Sequence, residues 1–338
     1  MSTKTVKINS KNDYKKLLEP AESLKNGDLV AFPTETVYGL GANALLSDTV
    51  KKVFEAKGRP SDNPLIVHVS SVEDVEKIAK NIPPEADKIF KNLCPGPITV
   101  VLFKKDIVPD EVTAGGKTVA VRIPESEIAR ELISLSGVPV AAPSANTSGR
   151  PSPTKAEHVL EDLKDKVEYV IDGGECRVGI ESTVVDLTVT PPRILRPGGV
   201  SHETLSELLG EVTGYAPCDS DENAPKSPGM KYKHYAPKGK MTVFEGKNCR
   251  KALLDSIDSS KKTVILSSGE LILDNATIIN CGETAEEFSK NLFNALRRAD
   301  EMGAECILAE LPFSSGGIAT ALKNRIYKSA GGNVILCE

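Results

Sequence analysis

Several residue types that build familiar sites are scarce in this sequence. It has no tryptophan and four histidines, and aromatic residues make up 4% of its 338 positions, which leaves little material for a base-stacking platform or a metal cluster. The seven cysteines are odd in number, scattered and without a CxxC pair, which argues against a disulfide framework and a zinc site. We therefore expect reduced thiols and no metal site built by the protein.

Long apolar runs and an excess of positive charge are also absent. No run approaches the length of a membrane span, and the N-terminus, MSTKTVKINSKNDYKK, lacks the apolar core of a signal peptide, so we predict a cytoplasmic protein. The formal net charge of −5 disfavours a broad nucleic-acid-binding surface, although it leaves room for a local basic cavity.

Length and pattern predict two α/β domains joined by a linker. Residues 1–212 alternate strands, helices and turns, and some strands follow one another directly, which predicts a mixed sheet. Residues 213–240 are proline-rich with little apolar content and are typical of a linker. Residues 241–338 alternate strand and helix regularly, which predicts a small parallel α/β domain.

The stretch from Ala31 to Val69 concentrates groups that packing alone does not explain. An apolar strand leads into a turn rich in hydroxyl groups that contains Thr36. A helix with one apolar face then delivers Lys57 and Arg59 at its C-terminal end, ahead of a second strand that contains His68. Together with Asn63, these cations and polar groups predict an anion pocket.

Further candidates follow later strands. Arg122 lies in the alternating strand TVAVRI, and Ser144 and Asn146 lie in a turn after the strand that ends at Ala142. Cations combined with short donors at strand ends could hold a triphosphate without a glycine-rich loop. The remaining candidates of this kind are Thr118, Ser152, Ser182, Arg196 and the linker residue His234.

Each candidate also has a plain structural explanation. Cations at a helix end favour the helix dipole, by roughly 0.3–1 kcal/mol, and can simply be solvated. Arg122 could lie on a solvated strand face, His68 could be a satisfied core histidine, and His234 could be a passive linker residue. Ser144 and Asn146 could be turn formers. After the turn that contains Ser144 and Asn146, Thr154 and Glu157 fit a capping box at the start of a helix.

Two stretches only look like nucleotide-binding motifs. Gly39–Ala44 matches G-x-G-x-x-[GA], but no helix opens at its glycines. Ala114–Thr118 resembles the end of a P-loop, but Glu111 occupies the first glycine position and a strand follows where a helix is needed. We set both aside.

The motifs in their order resemble those of the YrdC-like threonylcarbamoyl-adenylate synthase family. They are FPTETVYGLG, KGRPSDNPLIVH, CPGPITVVL, VAVRIP, APSANTSGRPSPT, GIESTVVD and ILRPG, and PGMKYKHYAP with a following small domain is similar to the longer, two-domain form. The resemblance implies a twisted open mixed sheet with a concave basic cavity and a Rossmann-like C-terminal domain. It also implies a nucleotidyltransferase that converts L-threonine, bicarbonate or CO2, and ATP into L-threonylcarbamoyl-AMP and pyrophosphate, for modification of the adenosine beside the anticodon in tRNAs that read codons starting with A.

The resemblance also implies roles for the residues. Lys57, Arg59, Ser144 and Asn146 would contact the nucleotide phosphates as the catalytic set. Magnesium would travel with ATP, and a downstream tRNA threonylcarbamoyl transferase would take the product, with no stable nucleic-acid binding and no membrane. L-threonine would meet Thr36, His68, Arg122, Ala142 and Ser182, and further ATP contacts would fall on Asn63, Thr118, Ser152, Arg196 and His234.

Because MKYKHYAP lies between flexible flanks, we expect it to fold over the cavity and gate product release. One alternative is an RNA-binding module that uses the basic cavity for structured RNA. A second is a related carbamoyl-transfer enzyme, but the acylphosphatase and zinc-finger-like segments expected of such proteins are lacking.

Overall fold

The computed structural model describes residues 2–215 and 235–338, and these form two compact units. The first contains residues 2–148, 153–177 and 181–215, and the second contains 149–152, 178–180 and 235–338. The domain boundaries expected from the sequence stay predictions, because most of the linker lies outside the described residues.

The first unit is built on a mixed sheet of eleven strands within the described residues. The strands are β1 (Lys4–Lys7), β2 (Val30–Phe32), β3 (Gly39–Asn43), β4 (Ile66–His68), β5 (Ala79–Lys80), β6 (Ile98–Lys104), β7 (Thr118–Arg122), β8 (Val140–Ala141), β9 (Tyr169–Asp172), β10 (Thr183–Asp186) and β11 (Arg193–Arg196).

These strands run in the order β1-β9-β2-β3-β8-β4-β7-β6-β10-β11, and β5 pairs with β6. β4 and β7 are parallel, whereas β8 and β6 flank them antiparallel. The prediction of a mixed sheet is therefore confirmed. Gly39–Asn43 is a strand, which agrees with our rejection of a dinucleotide-binding turn there.

Helices lie between the strands. After a 3₁₀ helix (Lys11–Leu17) come α1 (Leu18–Lys25), α2 (Ser47–Lys57), α3 (Val72–Ile78), α4 (Pro84–Leu93), α5 (Asp110–Thr113), α6 (Glu127–Ser136), α7 (Ala156–Leu163) and α8 (His202–Leu209).

One face of this sheet packs against helices along its length. Alternate strand residues such as Val67, Val100 and Val121 share a core cluster with Val53 of α2 and Ile89 of α4. Burial of each such side chain contributes roughly 1.5–3 kcal/mol. This core fixes the strands that carry the candidate residues.

The opposite face is divided into two halves. Under β2 and β8, Phe32 and Val140 pack against Leu24 of α1 and Leu132 of α6. Among the described residues, β4, β7, β6 and β10 carry a small apolar cluster on this face, and no described helix residue belongs to it; its members are Ile66, Val101, Ala120, Val184 and Leu195.

Strand alternation places the polar candidates on this second half. His68 follows Ile66 by two residues and Arg122 follows Ala120 by two, so both side chains lie on the same side of the sheet as the small cluster. Thr99, two residues before Val101, joins them. We call His68, Thr99, Arg122 and Ser182 the polar half-face.

The second unit has the strands β12 (Lys240–Glu245), β13 (Thr263–Ser267), β14 (Thr277–Asn280), β15 (Cys306–Leu311) and β16 (Val334–Leu336), and the helices α9 (Cys249–Asp255), α10 (Ala285–Glu301) and α11 (Gly317–Ser329). The strands form a parallel sheet in the order β14-β13-β15-β12-β16, with every described pairing parallel. The small parallel α/β domain expected from the sequence is confirmed. Among the described residues of both units, no helix combines the length and apolar character that crossing a membrane requires.

Candidate functional site

Lys57 and the turn after β8 meet directly. Lys57 is the last residue of α2, which ends because Gly58 takes the left-handed conformation, with φ of 61°. Its side chain is 2% exposed, and Nζ donates to the Ser144 carbonyl, to the Asn146 carbonyl at 2.5 Å and to Asn146 Oδ1 at 3.3 Å. Ser144 Oγ donates to the same Oδ1 at 2.5 Å. Three of the four predicted phosphate contacts thus form one cluster around the buried Lys57 side chain.

Arg59 and Asn63 lie in the segment that leads into β4. Arg59 Nη2 donates to the carbonyl oxygens of Asn63 at 3.3 Å and Pro64 at 3.2 Å, so the guanidinium is held against this segment. Asn63 is 1% exposed, and its Oδ1 has no hydrogen-bond partner among the described residues. A buried polar atom in that state indicates a place where a ligand or water binds.

The polar half-face brings together candidates that are far apart in sequence. His68 and Arg122 are register partners at the C-terminal ends of the parallel strands β4 and β7. Ser182 Oγ lies 2.8 Å from Thr99 Oγ1, and Arg196 Nη2 donates to the Ser182 hydroxyl at 3.0 Å and to its carbonyl at 2.9 Å. Arg196 therefore fixes Ser182 at the edge of this face.

Arg122 forms a buried ion pair. Its Nη2 lies 2.7 Å from Glu35 Oε1, and both side chains are nearly inaccessible, at 5% and 4% exposure. Burial by itself would raise the pKa of Glu35, but the charge and hydrogen bond of Arg122 outweigh it and hold that pKa below its ordinary value. Arg122 is therefore not on a solvated strand face, as the plain alternative supposed.

Thr36 is fully buried beside Thr34. Thr34 Oγ1 donates its single proton to the carbonyl of Val37 at 2.6 Å. In the contact of 2.8 Å between the two hydroxyl groups, Thr36 must then be the donor. The Thr36 oxygen thus keeps lone pairs that can accept a further hydrogen bond.

His68 is neutral at physiological pH. Burial and, after it, the positive charge of Arg122 lower its pKa from 6.5 to about 3. The Phe32 ring meets the imidazole edge to face, with ring centroids 6.1 Å apart. Nδ1 is buried without a hydrogen-bond partner in the described chain.

This lowered pKa predicts a pH-dependent stability term. Between pH 6.5 and about pH 3 the unfolded chain binds a proton at His68 that the folded chain excludes. The contribution of neutral His68 to the free energy of unfolding should therefore be complete above pH 6.5. Below pH 6.5 the free energy of unfolding should fall by roughly 1.4 kcal/mol for each pH unit because of this group. Urea unfolding of the wild type and of His68→Gln between about pH 6.5 and pH 4 measures this difference in slope. Parallel slopes for the two proteins would show that His68 remains protonated in the fold.

Two family models match the chain. One, for the Sua5-YciO-YrdC family and described as "Telomere recombination", matches residues 22–198, and the other, described as "Threonylcarbamoyl-AMP synthase, C-terminal domain", matches residues 200–331. The threonylcarbamoyl-AMP synthase of Pyrococcus abyssi is 49% identical over 92% of this chain and 93% of its own length. The chain belongs to the YrdC-like threonylcarbamoyl-AMP synthase family.

A second relative and one solved structure match nearly the full length of the chain, and a third protein matches a part of it. The threonylcarbamoyl-AMP synthase of Bacillus subtilis is 41% identical over 94% of both chains. A crystal structure of P. abyssi Sua5 complexed with L-threonine matches with a TM-score of 0.94 and 46% identity over 100% of both chains. YciO of E. coli, at 21% identity and a TM-score of 0.52 over 59% of this chain and 96% of its own, shares the fold.

Not all predicted contacts of this synthase family member lie together. Thr118 opens β7 and Arg122 ends it, so four residue steps, about 13 Å, separate their backbones. Ala142 is buried next to β4 and donates its N–H to the Ile66 carbonyl at 2.9 Å.

Two further residues that the family resemblance assigns to ATP, Ser152 and His234, lie outside the described residues of the first unit. Ser152 is fully buried and belongs to the second unit. His234 and most of the segment MKYKHYAP lie outside the described residues, so the expected gating role remains a prediction.

Two residues of the candidate site, Glu35 and Thr99, were not predicted as site residues from the sequence. Glu35 was only one member of a turn rich in hydroxyl groups, and its partner Arg122 lies 87 positions away. Thr99 is inside the apolar run ITVVLF, where alternation with Val101 was the available signal.

Proposed function

We propose that this chain is an L-threonylcarbamoyladenylate synthase that converts L-threonine, CO2 or bicarbonate, and ATP into L-threonylcarbamoyl-AMP and pyrophosphate. Relatives that bear this enzyme's name match nearly the full length at 41–49% identity. The observation on this chain that carries the proposal is the cluster of Lys57, Ser144 and Asn146, which gathers a cation and short donors from distant segments.

The phosphates would bind at this cluster. Lys57 would supply a point charge and Arg59 a planar guanidinium, while Ser144 and Asn146 would orient phosphate oxygens. The Asn63 amide oxygen, buried without a partner in the described chain, would accept from the nucleotide. Thr118, Ser152, Arg196 and His234 complete the proposed ATP contacts.

Threonine would bind at the polar half-face. Arg122 would hold its carboxylate, and the acceptor oxygen of Thr36 suits the amine, which is a donor. His68 would contact threonine as a neutral imidazole, and its lowered pKa supports this protonation state. The Ser182 hydroxyl and the Ala142 backbone would complete the threonine contacts.

The reaction needs positioning and charge neutralisation more than covalent chemistry by the protein. The threonine nitrogen attacks the carbon of CO2 and loses a proton, which gives a carbamate. A carbamate oxygen then attacks the α-phosphorus, and the bond to the bridging oxygen breaks as pyrophosphate leaves. Fixed donors at the phosphates stabilise the charge that develops on the leaving group.

The donors in the phosphate cluster are cationic or neutral, and no group of three potential metal ligands among His, Cys, Asp and Glu occurs in the described ranges. This composition fits Mg²⁺ that arrives with ATP, held by phosphate oxygens and water. When bound, the ion would neutralise phosphate charge.

The proposed cellular role is to supply L-threonylcarbamoyl-AMP, in the cytoplasm, to a downstream transferase that modifies tRNA.

Pyrophosphate release tests the proposed function. We expect release with ATP, Mg²⁺, L-threonine and bicarbonate, and a loss of release when either L-threonine or bicarbonate is omitted. Release that is independent of threonine would contradict the proposal. Salt-dependent binding of structured RNA without ATP, in place of this activity, would favour the RNA-binding alternative.

A further inference from the structure

Glu35 has a defined place next to the proposed threonine site. It lies in the loop between β2 and β3 and is 6% exposed. Oε1 accepts from Arg122 Nη2 at 2.7 Å, and Oε2 accepts from the backbone N–H groups of Glu125 at 3.0 Å and Ser126 at 3.4 Å. Both oxygens are thus engaged, one by the arginine and one by the start of α6.

This environment keeps the carboxylate ionised and fixed. Ser126 caps the N-terminus of α6, where partial positive charge favours an anion. The ion pair adds to this effect, and the pKa of Glu35 is lowered in spite of its burial. A carboxylate with these three contacts has little freedom to rotate, so it acts as a rigid acceptor for the guanidinium.

Arg122 in turn has donors to spare. A guanidinium has five N–H donors, and Glu35 is engaged by Nη2. Arg122 Nε is buried and has no hydrogen-bond partner among the described residues. A buried donor without a partner is costly, and it indicates that a ligand supplies the acceptor.

We infer that Glu35 is a positioning residue, which orients the Arg122 guanidinium so that its free donors meet the carboxylate of the amino-acid substrate. This inference rests on the proposed function, because that function assigns the carboxylate to Arg122. Before the substrate binds, Glu35 also neutralises the charge of the buried Arg122. Without it, a buried arginine would stand alone and could turn toward other acceptors.

The test is calorimetric binding of L-threonine together with steady-state kinetics of pyrophosphate release. In Glu35→Gln the acceptor shape is retained and the charge is lost. We expect the Kd and KM for L-threonine to rise roughly tenfold or more, while the KM for ATP changes by less than about twofold. Glu125→Gln is the matched control. Glu125 lies in the segment before α6 that Glu35 contacts, but its own side chain is 46% exposed and pairs with Arg177. Threonine binding by this variant should stay within about twofold of the wild type.

A double-mutant cycle separates positioning from a general effect on structure. If Glu35 acts through Arg122, then adding Glu35→Gln to Arg122→Gln should weaken threonine binding no further. Additive losses, or an unchanged Kd in Glu35→Gln, would overturn the inference. If Glu35→Gln fails to fold, Glu35→Asp serves, because it keeps the charge but withdraws it by one methylene, and it must show the same selective loss. Failure of the wild type to bind threonine would count against the proposed function itself.

Discussion

Replacing Lys57 with methionine is expected to lower kcat for pyrophosphate release by roughly 10²- to 10³-fold, the usual cost of removing one fixed donor from developing charge. The Nζ atom of this buried lysine reaches two carbonyls and an amide oxygen of the turn that holds Ser144 and Asn146. The substitution therefore removes both the phosphate charge and the group that orders the turn. The measurement is steady-state turnover at saturating ATP and threonine.

Lys51→Met provides a matched control in the same helix. Lys51 is half exposed and pairs with Asp48 at 3.1 Å and Glu111 at 3.7 Å, interactions that are weak at a surface. We expect its kcat to stay within about twofold of the wild type. A kcat for Lys57→Met within about threefold of the wild type would remove Lys57 from the phosphate site.

Gly198→Ala is expected to cost roughly 3 kcal/mol of stability, the upper range for overpacking, and to abolish threonine binding. A Cβ on Gly198 would lie 2.2 Å from the carbonyl carbon of Ser182, 2.2 Å from the nitrogen of Thr183 and 2.4 Å from the carbonyl oxygen of Glu181. All three are backbone atoms, which a rotamer change cannot move. The start of β10 must shift, and Ser182 shifts with it.

Gly214→Ala tests whether this effect is specific. Among the residues that the structure describes, a Cβ there would meet only His202 Nε2, at 4.0 Å, and Gly214 is outside the left-handed region. Its stability should stay within about 0.5 kcal/mol of the wild type. Urea unfolding and threonine calorimetry of the pair provide the comparison, and equal stabilities for the two variants would contradict the assigned packing.

Local patterns in the sequence predicted much of the architecture. The alternation in TVAVRI predicted β7, and the helical spacing after Ser47 predicted α2 with Lys57 at its end. In the second unit, strand and helix predictions match β12 to β16 with small differences at the ends. These elements were predictable because their hydrophobic periodicity is local.

One local prediction was wrong. Thr154 and Glu157 fit a capping box, but α7 begins at Ala156 with Lys155 as its N-cap. The Thr154 backbone N–H instead donates to His158 Nδ1 at 3.2 Å, and its hydroxyl has no hydrogen-bond partner in the described part of the chain. A different local hydrogen bond, to a side chain four positions further along the chain, replaced the cap that the spacing favoured.

Pairings between distant segments were beyond prediction from pattern alone. Nothing near Glu35 in the sequence points to Arg122, and nothing near Thr99 points to Ser182, because both contacts depend on the order of strands across the sheet. The same order decided that Arg122 is buried. The sequence located the chemistry along the chain, and the strand order determined which residues meet.

The proposed function requires one protein to join threonine, CO2 and the adenylyl group of ATP. Mass spectrometry and phosphorus NMR of a reaction with ¹³C-labelled bicarbonate can detect the product of this joining. We expect a ¹³C-labelled threonine conjugate of AMP that forms in step with pyrophosphate. Release of ADP and phosphate without labelled conjugate would contradict it.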